Sequence, residues 1–380
     1  MRSPLRILPA LLMLAASALA DAATQPVPPP PSLEATAWVL VDQQSGQALA
    51  GHRADEAIEP ASITKLMTAY AVFHALKEGK LKLDTQVAIS ERAWRSEGSR
   101  TYLDLNSRVP VEVLIQGMIV QSGNDATIAL AEAVAGTEDT FAALMNQYAE
   151  RLGMRQSHFQ NSTGWPGDNH KMSAADIARL TRAIIREFPE YYRWYSQREF
   201  TWNKIRQPNR NGLLARDPSV DGVKTGMTDA AGYCLVSSAK RDGMRLIAVV
   251  AGSKSMKARE NASLALLNYG FNFYETRTLK KGRTELAVPR IYKAPGGRAA
   301  VGLAGDMLVT LPRGLADRVE YKIELAPRVF APLTKSDRVG VLRALVDGKV
   351  IAEAPLQPVE DVPRGNIFRR IWDTILSWFA

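Results

Sequence analysis

The chain has 380 residues, 46% of them hydrophobic and 23% charged, with a formal net charge of +9. That length buries a full core and leaves room for two domains. A single cysteine, Cys234, excludes a disulfide framework and a cysteine-rich metal site, and no His-x-x-x-His or Cys-x-x-Cys spacing supports zinc, so no cofactor is expected. The basic residues are scattered among 39 acidic ones, with no basic helix carrying interleaved aromatics. Nucleic acid is therefore rejected as a partner in favour of an anionic membrane or cell-wall surface.

In chain order, Arg2 and Arg6 precede an apolar run over residues 7–19, and Ala18, Ala20 and Ala22 offer small-residue cleavage sites. Residues 1–22 read as a secretory signal peptide, too short for a spanning helix, which takes about 20 apolar residues. Residues 23–34 form a Pro-rich leader, stiff and extended rather than folded. A hairpin is predicted from residues 38–41 and 47–51, joined through Gln44-Ser45-Gly46. Ser62 follows Glu59-Pro60-Ala61 and opens a run with Leu66, Ala69, Tyr70, Phe73 and Leu76 at helical spacing, which ends at Glu78-Gly79. Ser62 is thus expected in the first turn of an amphipathic helix.

Further helices are predicted over residues 111–135, 137–152 and 173–187, with breaks, and over 257–274; strands are predicted at 233–239 and 245–251, joined through Asp242-Gly243. Strands at both ends with helices between them predict an α+β domain over residues 35–275, an antiparallel sheet flanked by helices. Beyond Glu275, short apolar runs separated by Lys281-Gly282, Pro295-Gly296-Gly297, Pro312-Arg313-Gly314 and Asp347-Gly348 predict a small all-β sandwich over residues 276–362. In the last segment, 363–380, Ile367, Phe368, Ile371, Trp372, Ile375, Leu376, Trp378 and Phe379 form one helical face, with Arg369, Arg370, Asp373, Thr374 and Ser377 opposite. With Arg364 as a basic flank, this reads as an amphipathic helix lying in a membrane interface; the alternative is a helix packed on its own protein.

Three short motifs carry the chemistry: Ser62-Ile63-Thr64-Lys65, Ser122-Gly123-Asn124 and Lys224-Thr225-Gly226. The first two are common by chance and only Lys224-Thr225-Gly226 is individually unusual; Ser237-Ser238-Ala239-Lys240 repeats the first, but there the two serines alternate on a strand and point to opposite faces. On a helix, positions three apart share a face, which brings the Lys65 amine to the Ser62 hydroxyl. A serine becomes a nucleophile only when a base takes its proton, and a lysine is a base only with a lowered pKa. Lys224 supplies that by like-charge repulsion while both amines sit desolvated in a cleft. His52, His74, His158 and His170 lie in no Ser/His/Asp pattern and are read as satisfied surface or boundary histidines. Cys234, in an apolar strand, is read as buried packing.

These motifs, with the longer stretches Pro60-Ala61-Ser62-Ile63-Thr64-Lys65-Leu66-Met67-Thr68, Gln121-Ser122-Gly123-Asn124-Asp125-Ala126, Asn209-Arg210-Asn211-Gly212-Leu213-Leu214 and Asp221-Gly222-Val223-Lys224-Thr225-Gly226, resemble the penicilloyl-serine transferases. Within that superfamily the chain is similar to the low-molecular-mass penicillin-binding proteins of the D-alanyl-D-alanine carboxypeptidase type, from about Ala35 to the C-terminus. The resemblance implies a β-lactamase/transpeptidase-like fold. It also implies Ser62 as the acylated residue, Lys65 as its base and Ser122 as proton relay. Asn124 would bind the substrate amide carbonyl, Lys224 would set the local field, and Thr225 and Arg259 would hold the terminal carboxylate. Arg210 is similar to a family arginine at the cleft rim. The oxyanion hole would be the backbone N–H groups of Ser62 and Met227. Gly226 is expected to be small so that substrate backbone passes close to an edge strand. Met227 is a departure, standing where family members carry a His.

The expected function is a periplasmic carboxypeptidase that trims the terminal D-Ala from peptidoglycan pentapeptides, is acylated by β-lactams, and is attached to the outer face of the cytoplasmic membrane. Three rivals remain: a class A-type β-lactamase, a D,D-endopeptidase or transpeptidase, and a catalytically idle wall-binding protein. Residues 155–170 contain one carboxylate, Asp168, and no Glu to hold a deacylating water, which tells against the first.

Overall fold

Val39 and Val41 of the strand Ala37–Asp42 belong to one apolar cluster, while Trp38 and Leu40 belong to another. Alternate side chains of a strand point to opposite faces, so this strand is covered on both sides. The structure, a computed structural model, describes residues 27–377. Its main sheet runs in the order Ala48–His52, Ala37–Asp42, Met244–Ser253, Gly232–Arg241, Val220–Thr228, with every pairing antiparallel. The N-terminal hairpin thus closes onto strands from the far end of the domain, and Val220–Thr228 is left at an edge.

One face of the sheet is covered by the helix Met256–Phe273 through Leu266 and Leu267. The other carries Lys65–Lys77, Asn124–Ala135, Glu138–Leu152 and Ala174–Glu187. The amphipathic reading of the first of these is corrected. Lys65–Lys77 is buried at every position except His74 and Lys77, because the other helices surround it. A helix enclosed on all sides carries apolar residues all round. The described part of the leader, residues 27–34, has no regular structure, yet Val27 and Leu33 pack against the second cluster and the Pro28 carbonyl accepts a hydrogen bond from Tyr269 at 2.9 Å. The signal-peptide segment lies outside the described residues.

The strand Tyr274–Lys280 follows the last helix of the first domain directly and pairs with Met307–Pro312. A four-stranded antiparallel sheet, ordered Val301–Leu303, Lys349–Pro358, Gly340–Val346, Glu320–Leu325, faces it across a separate apolar cluster that includes Met307, Leu342 and Leu356. The two domains meet through polar groups, among them the Arg313 guanidinium, which donates to the Phe271 carbonyl at 2.8 Å. Buried Asp42 accepts from the Ser45 N–H (2.7 Å), the Ser45 hydroxyl (2.8 Å) and the Thr276 hydroxyl (2.8 Å), and Thr310 lies 2.6 Å from Ser45 and 3.0 Å from Thr276.

Asn366 caps the terminal helix Ile367–Leu376 by accepting from the Arg369 N–H. The helix turns its polar face inward. Asp373 is fully buried and accepts from the Lys293 N–H (2.6 Å), Arg369 (3.0 Å) and Arg290 (3.3 Å), whereas Ile367, Phe368, Ile371, Trp372 and Ile375 are exposed. Trp378 and Phe379 lie outside the described residues. Among the described residues no helix is long and apolar enough to cross a membrane.

Candidate active site

Ser62 sits in a 3-10 turn, Ala61–Thr64, that feeds the buried helix Lys65–Lys77, rather than in the helix itself. The Ile63 N–H bonds back to the Pro60 carbonyl at 3.1 Å, tightening the entry to three residues per turn. Three-residue spacing still brings the Lys65 Nζ to 3.0 Å from the Ser62 Oγ. The same amine donates to Asn124 Oδ1 (2.8 Å) and to the Thr163 carbonyl (2.7 Å). A neutral amine has two N–H groups and one lone pair. With both N–H groups committed to obligate acceptors, the lone pair faces the Ser62 hydroxyl.

Burial lowers the Lys65 pKa to about 7, with the Arg210 charge as the next cause. Lys224 is also held well below its ordinary value, first by burial and then by Lys65, Arg210 and Arg259. This corrects the two-lysine argument. Desolvation is the main cause for Lys65, and Arg210 is the cation acting on it, whereas the Lys65 charge acts on Lys224 second to burial. Among the described residues both amines hydrogen-bond to hydroxyl, amide or carbonyl oxygens and to no carboxylate.

Ser122 ends a π-turn, Gly117–Gln121, with a left-handed backbone at φ 67°. A non-glycine residue in that region costs roughly 1–3 kcal/mol and persists where its surroundings hold it. The Ser122 Oγ lies 2.9 Å from the Lys224 Nζ. Asn124 opens the helix Asn124–Ala135, and its Nδ2 donates to the Glu97 carbonyl at 2.6 Å. Next to it, buried Asp125 accepts from the N–H groups of Thr101 (2.8 Å) and Leu103 (3.2 Å), fixing that loop beside the cleft.

Lys224, Thr225, Gly226 and Met227 lie on the edge strand. Gly226 is also crowded from inside the protein. A Cβ there would stand 3.0 Å from the Pro60 carbonyl and 3.3 Å from the Ala61 Cβ, so the strand packs against the turn that bears Ser62. Arg259 is buried, not a solvated helix-face charge; its guanidinium donates to the carbonyls of Gly226 (3.3 Å), Cys234 (3.3 Å) and Arg210 (3.4 Å). Cys234 is buried beside it, as expected of packing.

A cavity of about 520 Å³ brings Ser62, Ser122, Asn124, Thr225, Gly226, Met227, Arg210 and Arg259 to one wall or another. Sequence reasoning missed Thr163, Trp165, Tyr233 and Met256, which also line it. Asn161 organises the first two: its Oδ1 accepts from the N–H groups of Thr163, Gly164 and Trp165 at 3.2, 2.8 and 3.1 Å. An Asn two residues ahead of Thr163-Gly164 signals a turn, but nothing in it signals a lysine acceptor. His170 is buried rather than superficial. Its Nδ1 accepts from the Gln160 N–H, so Nε2–H donates to Thr64 at 2.8 Å, and burial, then His158, lower its pKa to about 4. Among the described residues no cluster of His, Cys, Asp or Glu is arranged to hold a metal.

A buried amine beside a serine, in a cleft between an all-helical lobe and an antiparallel edge strand, defines a serine acyl-transfer fold. Residues 22–255 match the D-alanyl-D-alanine carboxypeptidase family and residues 274–364 the penicillin-binding protein 5 C-terminal domain. The chain is 40% identical over 361 residues to the D-alanyl-D-alanine carboxypeptidase DacA of Escherichia coli (strain K12), spanning 93% of this chain and 90% of that one. Penicillin binding protein 5 from Haemophilus influenzae is similar at TM-score 0.85 and 41% identity, covering 88% of this chain and 99% of that one. Penicillin-binding protein D2 from Listeria monocytogenes, solved in an ampicillin-bound form, is similar at TM-score 0.60 and 29% identity, over 64% of this chain and 100% of that one. The chain belongs to the D-alanyl-D-alanine carboxypeptidase family of serine peptidases and carries that family's penicillin-binding protein 5 C-terminal domain.

Proposed function

We propose that this protein is a serine D-alanyl-D-alanine carboxypeptidase that removes the terminal D-Ala from peptidoglycan pentapeptides, with Ser62 as nucleophile. The observation that carries the reading is the 3.0 Å approach of a buried amine, lowered to about 7, to the Ser62 hydroxyl. In the acylation step the Ser62 Oγ attacks the carbonyl of the penultimate D-Ala as its proton passes to Lys65 Nζ. The backbone N–H groups of Ser62 and Met227 receive the developing oxyanion. Collapse breaks the peptide bond, and Ser122, bonded to Lys224, passes a proton to the leaving amine. Thr225, Arg259 and Arg210 hold the departing carboxylate, and Asn124 orients the acyl part. Water then cleaves the ester. A β-lactam follows the same first step and leaves a penicilloyl ester on Ser62.

The relevant experiment measures D-alanine released from a pentapeptide ending in D-Ala-D-Ala. Release by wild type and none by Ser62→Ala is expected; equal release by both sinks the assignment. The loop that closes over Lys65 offers it a backbone carbonyl, and its one carboxylate, Asp168, is exposed, which supports slow deacylation over the β-lactamase rival. The penicilloyl-enzyme should persist as an intact mass adduct, and sustained β-lactam hydrolysis would revive the rival.

The outward apolar face of the terminal helix supports attachment to the outer face of the cytoplasmic membrane in the periplasm, after export by residues 1–22. Deleting residues 366–380 should release the protein from lipid vesicles while activity on a soluble pentapeptide survives. Continued flotation with vesicles would show the helix to be a packing element only.

A further inference from the structure

The chain has eleven methionines, of which Met1 and Met13 lie outside the described residues. Seven of the other nine are 6% exposed or less, as side chains that pack a core should be. The two exceptions are Met227 at 52% and Met256 at 59%, and both line the catalytic cavity. A thioether on an unbranched apolar stem gains from burial, so packing does not explain why the two exposed ones both face a reaction site.

Their places in the fold bring them to one end of the cleft. Met227 lies opposite Tyr233 across two paired strands and two residues from Thr225, so the three share a sheet face. Leu235, the partner of Thr225, belongs to the apolar cluster beneath the helix Met256–Phe273, which covers that face. Met256 opens this helix, and three-residue spacing puts it on the same side as Arg259. The Arg259 guanidinium in turn lies 5.7 Å from the centre of the Tyr233 ring. Both thioethers therefore flank the groups proposed to hold the terminal carboxylate. The cysteine sulfur does not: Cys234 is 2% exposed, and burial raises its thiol pKa, which shields it from aqueous oxidants.

We propose that Met227 and Met256 form an oxidant-sensitive pair, and that their conversion to sulfoxides by hydrogen peroxide slows D-alanine release. This rests on the carboxypeptidase reading above and adds a means of regulating it. In the modification a sulfur lone pair attacks one peroxide oxygen, the O–O bond breaks, an S–O bond forms, and the other oxygen leaves as water. Each sulfur is oxidised by two electrons and each peroxide is reduced by two. A sulfoxide oxygen is a strong acceptor with partial negative charge. On this wall it competes with the substrate carboxylate for Arg259 and Thr225, and it opposes an incoming anion. A thiol-dependent sulfoxide reductase reverses the change.

The experiment treats the full chain with hydrogen peroxide, locates the added oxygen by peptide mass, and measures kcat/KM for a pentapeptide ending in D-Ala-D-Ala. Each rate is expressed relative to the same protein before treatment. Wild type should gain one oxygen on each of Met227 and Met256 and none on the buried methionines. Its activity should fall about tenfold, the scale of one weakened hydrogen bond to a charged group. The double variant Met227→Leu, Met256→Leu should resist the loss, and methionine sulfoxide reductase should restore the wild type. Unchanged activity with both methionines oxidised, an equal loss in the double variant, or oxidation that begins at the buried methionines overturns the proposal. Penicillin, which also carries a carboxylate, keeps the two readings apart. If untreated protein releases no D-alanine, the carboxypeptidase reading has failed. Peroxide that slows penicillin acylation in wild type but not in the double variant then still upholds the pair, and any other pattern overturns it.

Discussion

The molecule buries charge in two places and treats it in opposite ways. In the cleft, Lys65 and Lys224 are buried against neutral oxygens, and burial drives both amines toward the unprotonated form. Under the terminal helix, burial pushes Asp373 up, but the Lys293 N–H, Arg290 and Arg369 outweigh it and hold its carboxyl below the usual range. One site leaves charge uncompensated so that a group becomes reactive; the other compensates it so that an element stays docked. The difference separates chemistry from architecture without reference to any motif.

The sharpest way to break this comparison is Lys65→Ala. Removing a general base should slow penicillin acylation at least about a hundredfold without unfolding the protein. Near-normal acylation at neutral pH would take Lys65 out of the mechanism. The converse change, Asp373→Ala, strands a buried N–H and should weaken helix docking by about 1–3 kcal/mol. Faster tryptic cleavage after Arg369 and Arg370, with unchanged acylation, is the expected result; unaltered cleavage would mean that Asp373 does not hold the helix.

A smaller effect lies in the pH dependence of stability. Lys65 titrates at about 7 when folded against 10.5 when unfolded. Between those values the unfolded chain holds a proton that the folded one does not, so stability rises with pH across this window, by at most about 1.4 kcal/mol per unit. Denaturant titrations of wild type and Lys65→Met should show the steeper rise in wild type. Parallel curves would place the amine in solvent-like surroundings.

Much of the site was legible because its side chains carry its chemistry. Ser62, Lys65, Ser122, Asn124 and Lys224 announce themselves by type and spacing, and the structure gathers them around one cleft. The Thr163 carbonyl does not, since a backbone acceptor has no signature at its own position. Gly226 was expected to be small for a passing substrate; the turn that bears Ser62, which also crowds it, could not be seen from the sequence. The hairpin at Ala37–Asp42 and Ala48–His52 and the strands after Lys224 followed from alternation and turn residues. The all-round burial of Lys65–Lys77 did not, because it depends on helices distant in sequence. In the terminal helix the two faces were recognised, but the partner of the polar one was Lys293, invisible from Asp373 alone.

The joint between the domains has a consequence of its own. Asp42, Ser45, Thr276 and Thr310 connect two bodies whose apolar clusters have no residue in common. Parting them exposes hydroxyls and a carboxylate that water solvates readily, rather than a cut face of core. Polar groups of this kind let a joint open and close without either body's apolar clusters being cut.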